Sequence, residues 1–319
     1  MQGKYIKHHI KKKIEDWAAS VTDEAVKYTI LHRSFVSGGA ITSLLLGEDP
    51  RDYDVYFTDI DSLKLIADYY TRQYCEDVRH TTTPQVQRCV WDEEKSAWRV
   101  LKDDETQSDM RLRIFIKSDG YASLDEDDEF SQGSEHGYTE ALESAGIKPI
   151  KAEAKKKDAK QPYRVKYMTN NAITLSNGIQ CVLRFYGQPE AVHENFDFIH
   201  CMCHYSPDTD SLVLPARSLE AIINKELFYV GSKYPLCSII RARKFIQRGW
   251  SVNAGQYVKM VLQLNDMDLK NLHVFEEQLV GVDSAYFGGL IAMIEKEKEH
   301  NPNVLSDTGY LIELINHVF

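Results

Sequence analysis

The sequence predicts an α+β fold: a mixed β-sheet head with helices over about residues 1–216, then an all-α neck or body over about 217–319. Three observations carry this. Apolar residues alternate with polar ones in short runs between residues 54 and 215. From Ala216 onward the apolar positions return at helical spacing. Within the first of these stretches lies a charged insertion at about 76–160, whose acidic and lysine-rich stretches are too polar to join either pattern.

Taken in order, residues 4–35 read as one or two helices, and Asp54–Phe57 as a strand. Asp61 or Ser62 is placed to cap a helix carrying Leu63, Leu65, Ile66 and Tyr69. Residues 86–101 read as a hairpin around a polar turn, 111–117 as a strand and 163–168 as another. Residues 173–187 form a hairpin with Asn177-Gly178 at its tip, the pair that a tight two-residue turn favours. Residues 196–205 and 211–215 complete the β material. Helices are expected over 217–230, 235–249, 253–264, 272–279, 284–299 and 306–317.

Composition narrows the function. With 319 residues, 43% hydrophobic and 27% charged, the chain has room for two globular domains and is neither disordered nor fibrous. No apolar run approaches the roughly 18–20 residues of a membrane span, and the basic N-terminus lacks the apolar core of a secretory signal. Six unevenly spaced cysteines point to a reducing, cytoplasmic setting rather than a disulfide framework. The net charge of −10 is concentrated. Residues 119–147 hold nine carboxylates and no Lys or Arg, so the rest of the chain is close to neutral and shows no basic signature for nucleic acid.

The chemistry lies in FVSGGAITSLLLGEDPRDYDVYF, residues 35–57. An apolar residue leads through Ser37 to Gly38-Gly39, and twelve residues separate that pair from Asp52-Tyr53-Asp54 at the opening of an apolar strand. Residues two apart in a strand share a face, so Asp52 and Asp54 point the same way, roughly 7 Å apart. Two neighbouring carboxylates repel unless a cation sits between them, and Mg²⁺, with Mn²⁺ as a substitute, suits such oxygen donors. Gly38 and Gly39 allow close backbone approach to phosphate. Together these are parts for two-metal phosphoryl transfer.

This segment resembles the opening motif of the DNA polymerase β nucleotidyltransferase superfamily, and within it the heads of bacterial poly(A) polymerases and CCA-adding tRNA nucleotidyltransferases. Residues 195–215 are similar to a second motif of that group, and Tyr234–Phe245 to its neck motif, in the family's order. The chain departs from the pattern at Thr42-Ser43, where the family has Arg-Asp, at Asn195-Phe196, where it has two arginines, and at Tyr234 and Cys237 in the neck. The resemblance implies a divergent nucleotidyltransferase that takes an NTP, ATP or CTP, and moves an NMP to a hydroxyl acceptor with release of pyrophosphate. An RNA 3′ end is the expected acceptor. A toxin-like or protein-modifying transferase, and a catalytically silent nucleic-acid- or protein-binding module, are the rivals.

By the same resemblance Asp197 joins Asp52 and Asp54 as a third catalytic and metal-binding acid, unless it is a strand-end residue paired with a local arginine. The strand 179–185 offers only Gln180 at the alternative place for such an acid. Ser37, Gly38, Gly39, Arg184, Arg241, Arg243 and Lys244 are the expected nucleotide contacts, with an ordinary salt bridge the rival role for Arg184 and a solvated basic face the rival for the helix. His200-Cys201-Met202-Cys203-His204 looks like a zinc cluster, but strand alternation would divide it between two faces, so no zinc site is expected. His8-His9 reads as part of an exposed basic helix.

Overall fold

A computed structural model describes residues 2–77, 84–115 and 162–279 apart from a few loop positions, together with 121–123 and isolated positions beyond 279. The lysine-rich stretch 151–160, nearly all of the acidic segment and nearly all of the helices expected over 284–299 and 306–317 lie outside the described residues.

Helix α1 (Gln2–Ser20) buries Ile6, Ile10, Ile14 and Trp17, one face at helical spacing. Helix α2 (Glu24–His32) starts where the Asp23 carboxylate accepts from the Ala25 and Val26 amides. Strand β1 (Ser34–Ser37), helix α3 (Gly39–Leu46) and strand β2 (Tyr53–Phe57) follow, then helix α4 (Ile60–Asp77). The α4 cap is Asp59 rather than Asp61 or Ser62: its carboxylate accepts from the Ser62 amide at 2.7 Å and the Ser62 hydroxyl at 2.8 Å. Burial alone would raise that carboxyl, but these bonds, one from Thr58 and the nearby Arg33 charge hold it below its ordinary range.

Strands β3 (Gln85–Asp92), β4 (Ala97–Val100) and β5 (Arg111–Phe115) make a small antiparallel sheet in the order β4-β3-β5, beside α4. Part of the expected insertion is thus a folded unit. Strands β6 (Tyr121–Ser123), β7 (Val165–Thr169), β8 (Ala172–Leu175) and β9 (Ile179–Tyr186) return to the main sheet. Helix α5 (Pro189–His193) and strands β10 (His204–Ser206) and β11 (Ser211–Val213) complete the head. Helices α6 (Ala216–Asn224), α7 (Pro235–Gln247), α8 (Ala254–Asn265) and α9 (Leu272–Leu279) form the helical part.

The main sheet has eight strands in the order β11-β10-β1-β2-β9-β8-β7-β6, and β2 and β9 pair in parallel while the other neighbours are antiparallel. One face, through Val36, Val55, Phe57, Ile173, Cys181 and Leu183, belongs to the main core with α1 and α4. Trp17 crosses that core and donates to the Tyr70 hydroxyl at 2.6 Å. Each large apolar side chain buried there contributes roughly 1.5–3 kcal/mol. The other face carries a smaller cluster of Phe35, Tyr56 and Val192, with Val182, Phe185 and Phe196 packed partly buried against it.

Two expectations change. Residues 196–205 are not one strand: Phe198 makes an isolated antiparallel bridge to Tyr229, Ile199–Met202 is a 3₁₀ turn and the sheet strand begins at His204. The turn is held by distant groups, with the Ile199 amide donating to the Phe228 carbonyl and Thr42 and Ser218 donating to the His200 and Ile199 carbonyls. The helix expected over 217–230 stops at Asn224, because Lys225 turns left-handed at φ 48°. Among the described residues no helix is long and apolar enough to cross a membrane.

Candidate active site

The site is built where β1 passes into α3. Gly38 has φ +92°, a conformation strained for any residue with a side chain, and a Cβ there would lie 2.9 Å from Asp54 Oδ2. Glycine therefore lets the turn form and lets the Asp54 carboxylate lie against the backbone at the start of α3. At Gly39 a Cβ would meet nothing within 4 Å, so that position faces open space. The Gly38 amide already donates to the Cys201 carbonyl at 3.1 Å. Any phosphate cradle here falls to the amides from Gly39 onward, at the positive end of the helix.

Asp52 is exposed just ahead of β2, and Asp54 is half-buried within it. The hairpin tip at Asn177-Gly178 seats this segment: a Cβ on Gly178 would come within 2.8 Å of the Arg51 carbonyl oxygen. On the sheet Asp54 lies between Ser37 of β1 and Gln180 of β9, its register partners. Ser37 is fully buried. Its hydroxyl donates to the Cys203 carbonyl at 2.9 Å and meets His193 Nε2 at 2.8 Å, so it forms the floor beside Asp54.

Asp197 is buried in the turn before Phe198. Its Oδ1 accepts from the Phe198 amide at 2.9 Å and its Oδ2 pairs with Arg241 of α7. Tyr56 and Cys201 both sense this pair and Asp54. Burial pushes the Tyr56 phenol up, Asp54 and Asp197 push further and Arg241 opposes them; burial likewise raises the Cys201 thiol. Asp54 and the Asp197–Arg241 pair thus share one neighbourhood. Among the described residues, however, no three His, Cys, Asp or Glu side chains come close enough together to hold a metal ion. Two carboxylates, Asp52 and Asp54, remain as the candidate ligands for Mg²⁺, an ion that can take one or two carboxylates and complete its shell with substrate phosphate and water.

Arg184 lies elsewhere on β9 and is 6% exposed. It donates to the Tyr234 hydroxyl at 2.9 and 2.6 Å and to Glu277 Oε2 at 2.7 Å, while Arg111 reaches the same Glu277 oxygen at 3.0 Å. Burial would raise the Glu277 carboxyl, but Arg184, Arg111 and Arg113 hold it below the usual range. This is a joint between head and helices. The basic set on α7 also divides: Arg241 turns toward Asp197, whereas Arg243 and Lys244 are exposed. The buried His200 ring lies 4.5 Å, centroid to centroid, from Phe245, which it meets edge-on, and from Trp250, to which it is tilted, which gives it a packing environment. The strand-alternation argument against a shared zinc site does not apply to this segment, because His200–Met202 lies in the 3₁₀ turn. His193 and the seating role of Gly178 carry no recognisable signal in the sequence; the Asn-Gly pair announces the turn but not what it touches.

The model of the Gabija anti-defense 2 family protein matches residues 8–225, most of the head. A curated relative described as Gabija anti-defense 2, from Bacillus phage SPbetaL7, is 20% identical over 133 residues, which is 41% of this chain. That match spans 32% of the relative's own length. These findings overturn RNA 3′-end nucleotidyl transfer as the function, because both matches carry an anti-defence description and neither a tRNA-processing one. Residues 8–225 are more than half of the 319, and the chain belongs to the Gabija anti-defense 2 family.

Proposed function

We propose that this protein counters Gabija defence, and that it does so through the Asp52/Asp54 site, with the head in a divergent nucleotidyltransferase fold. Asp52 and Asp54 would hold a divalent cation together with the phosphates of an NTP, and the α3 amides would face those phosphates. The cation would neutralise charge on the leaving pyrophosphate as the NMP passes to an acceptor on the defence side. Arg241 and Asp197, paired and balanced in charge, would stand beside the site. The observation that carries the reading is the packing of Gly38 on Asp54, which brings a carboxylate to the first turn of a helix with open space at Gly39.

The test is phage plating on cells that carry Gabija, with wild type or Asp52→Asn, Asp54→Asn expressed at equal levels. The wild type is expected to restore plating and the double variant to lose most of that effect, while both melt at similar temperatures. Purified wild type should also gain stability from NTP with Mg²⁺, about 2.7 kcal/mol at a hundredfold excess over the dissociation constant. Full plating by the double variant would remove the site from the function.

A further inference from the structure

The sheet face that bears Asp54 also bears an aromatic shelf. Tyr56 lies two residues along β2 from Asp54 and so on the same face, and its ring centroid is 5.7 Å from that of Phe196. Phe196 in turn lies 5.0 Å from His193. Phe196 and His193 are both half-buried, while Phe35 and Tyr56 beneath them are buried. The shelf is tied to the carboxylate through Ser37, the register partner of Asp54 and the hydrogen-bond partner of His193.

Ser37 favours one tautomer of His193, the one that allows two hydrogen bonds at its hydroxyl rather than one. A hydroxyl has one hydrogen. With that hydrogen on the Cys203 carbonyl at 2.9 Å, the 2.8 Å contact is a bond only if His193 Nε2 donates. Nδ1 is then an acceptor on a half-exposed ring. Burial lowers the imidazole to about 4, with His204 adding and Glu190 opposing, so the ring is neutral near pH 7 and keeps this arrangement.

We infer that Phe196 and His193 form a nucleobase subsite: Phe196 supplies a stacking face, and His193 Nδ1 accepts from the exocyclic amine of adenine or cytosine. The inference rests on the proposed NTP site, since the phosphates would lie at Asp52, Asp54 and α3 and the base one ribose away. Guanine and uracil present an oxygen where adenine and cytosine present the amine, and an oxygen facing Nδ1 sets acceptor against acceptor.

The experiment measures binding of ATP, CTP, GTP, UTP and inorganic tripolyphosphate, each with Mg²⁺, to the full chain. Wild type should favour ATP and CTP over GTP and UTP by about tenfold, the order of one hydrogen bond. Phe196→Leu, which keeps the apolar packing, should weaken all four nucleotides by about tenfold, as expected for one lost base–aromatic stack, and leave tripolyphosphate unchanged. Phe196→Tyr should bind like wild type. His193→Phe, which keeps a ring without the acceptor, should level the four nucleotides. Equal binding of all four by wild type, or wild-type preference and affinity in folded Phe196→Leu and His193→Phe, overturns the subsite. In that case loss of all nucleotide binding in Asp54→Asn shows that the phosphate site stands without it. No NTP binding by wild type overturns the site and the subsite together.

Discussion

Gln180 and Arg184 share one face of β9, roughly 13 Å apart by strand geometry, and their surroundings are opposites. At the Gln180 end the acids are Asp52, exposed, and Asp54, half-buried against a glycine. At the Arg184 end, Glu277 sits within 3.0 Å of both Arg184 and Arg111, and Arg184 also donates to the Tyr234 hydroxyl and, at 3.4 Å, to Asn171 Oδ1. A buried guanidinium without a counter-charge is costly, so the second end is built to be complete. The first leaves one of its acids in solvent and the other only half-covered. Residue type alone does not separate the two ends; burial and the partner supplied by a distant helix do.

The largest effect should come from breaking the complete end. Glu277→Ala leaves Arg184 and Arg111 without their acid and should cost about 3–5 kcal/mol in chemical denaturation. The folded fraction should still gain stability from NTP with Mg²⁺. A loss under about 1 kcal/mol would mean that the joint contributes little to holding the head and helices together.

A smaller effect is expected at the open end. Gly38→Ala places a methyl group 2.9 Å from Asp54 Oδ2 in a positive-φ backbone, with strain of about 1–3 kcal/mol. It should also abolish stabilisation by NTP. Gly39→Ala, with nothing within 4 Å, should fold normally; a large stability loss there would contradict the open space at the start of α3.

The last effect is a pH slope carried by two histidines, His200 in the core and His193 beside Ser37 at the open end. Burial lowers His200 to about 3, with Arg248 and Arg241 adding, and lowers His193 to about 4. The unfolded chain therefore binds protons on these rings below about pH 6.5, while the folded chain does not. Stability should be full above that pH and fall as the pH drops toward the folded values, by about 2 kcal/mol per histidine between pH 7 and 5. Melting curves for wild type and His200→Phe should diverge with pH, the variant showing the shallower slope. Parallel slopes would place the acid sensitivity elsewhere.

Much of the head was legible in the sequence because its signals are local. Alternation marks the strands, Asn177-Gly178 marks a hairpin, and Gly38-Gly39 with Asp52 and Asp54 marks the polar end of the sheet. Residues 196–205 misled because they are apolar enough for a strand, while the bonds that fold them into a turn come from Thr42, Ser218 and Phe228. The helix stop at Lys225 has no glycine to announce it. Arg184 and Glu277 are 93 residues apart, and only tertiary structure reveals that they meet. Membership of the Gabija anti-defense 2 family has no local signal at all; it came from the family match.

The parallel pairing of Tyr53 with Ile179 has a consequence for synthesis. Every connection across that pair spans more than a hundred residues, so local contacts cannot close it early, and such non-local pairing slows folding. A nascent chain that has emerged as far as α4 carries both aspartates without the strand that flanks them or the turn that holds Asp197. Until β9 leaves the ribosome, β2 has an unpaired edge, and β1 keeps one until β10 follows, surfaces that invite wrong pairing. The acids would thus be made early and become a working site late, and a substitution that slows the closing of β9 onto β2 would lower the yield of folded protein without altering the finished site.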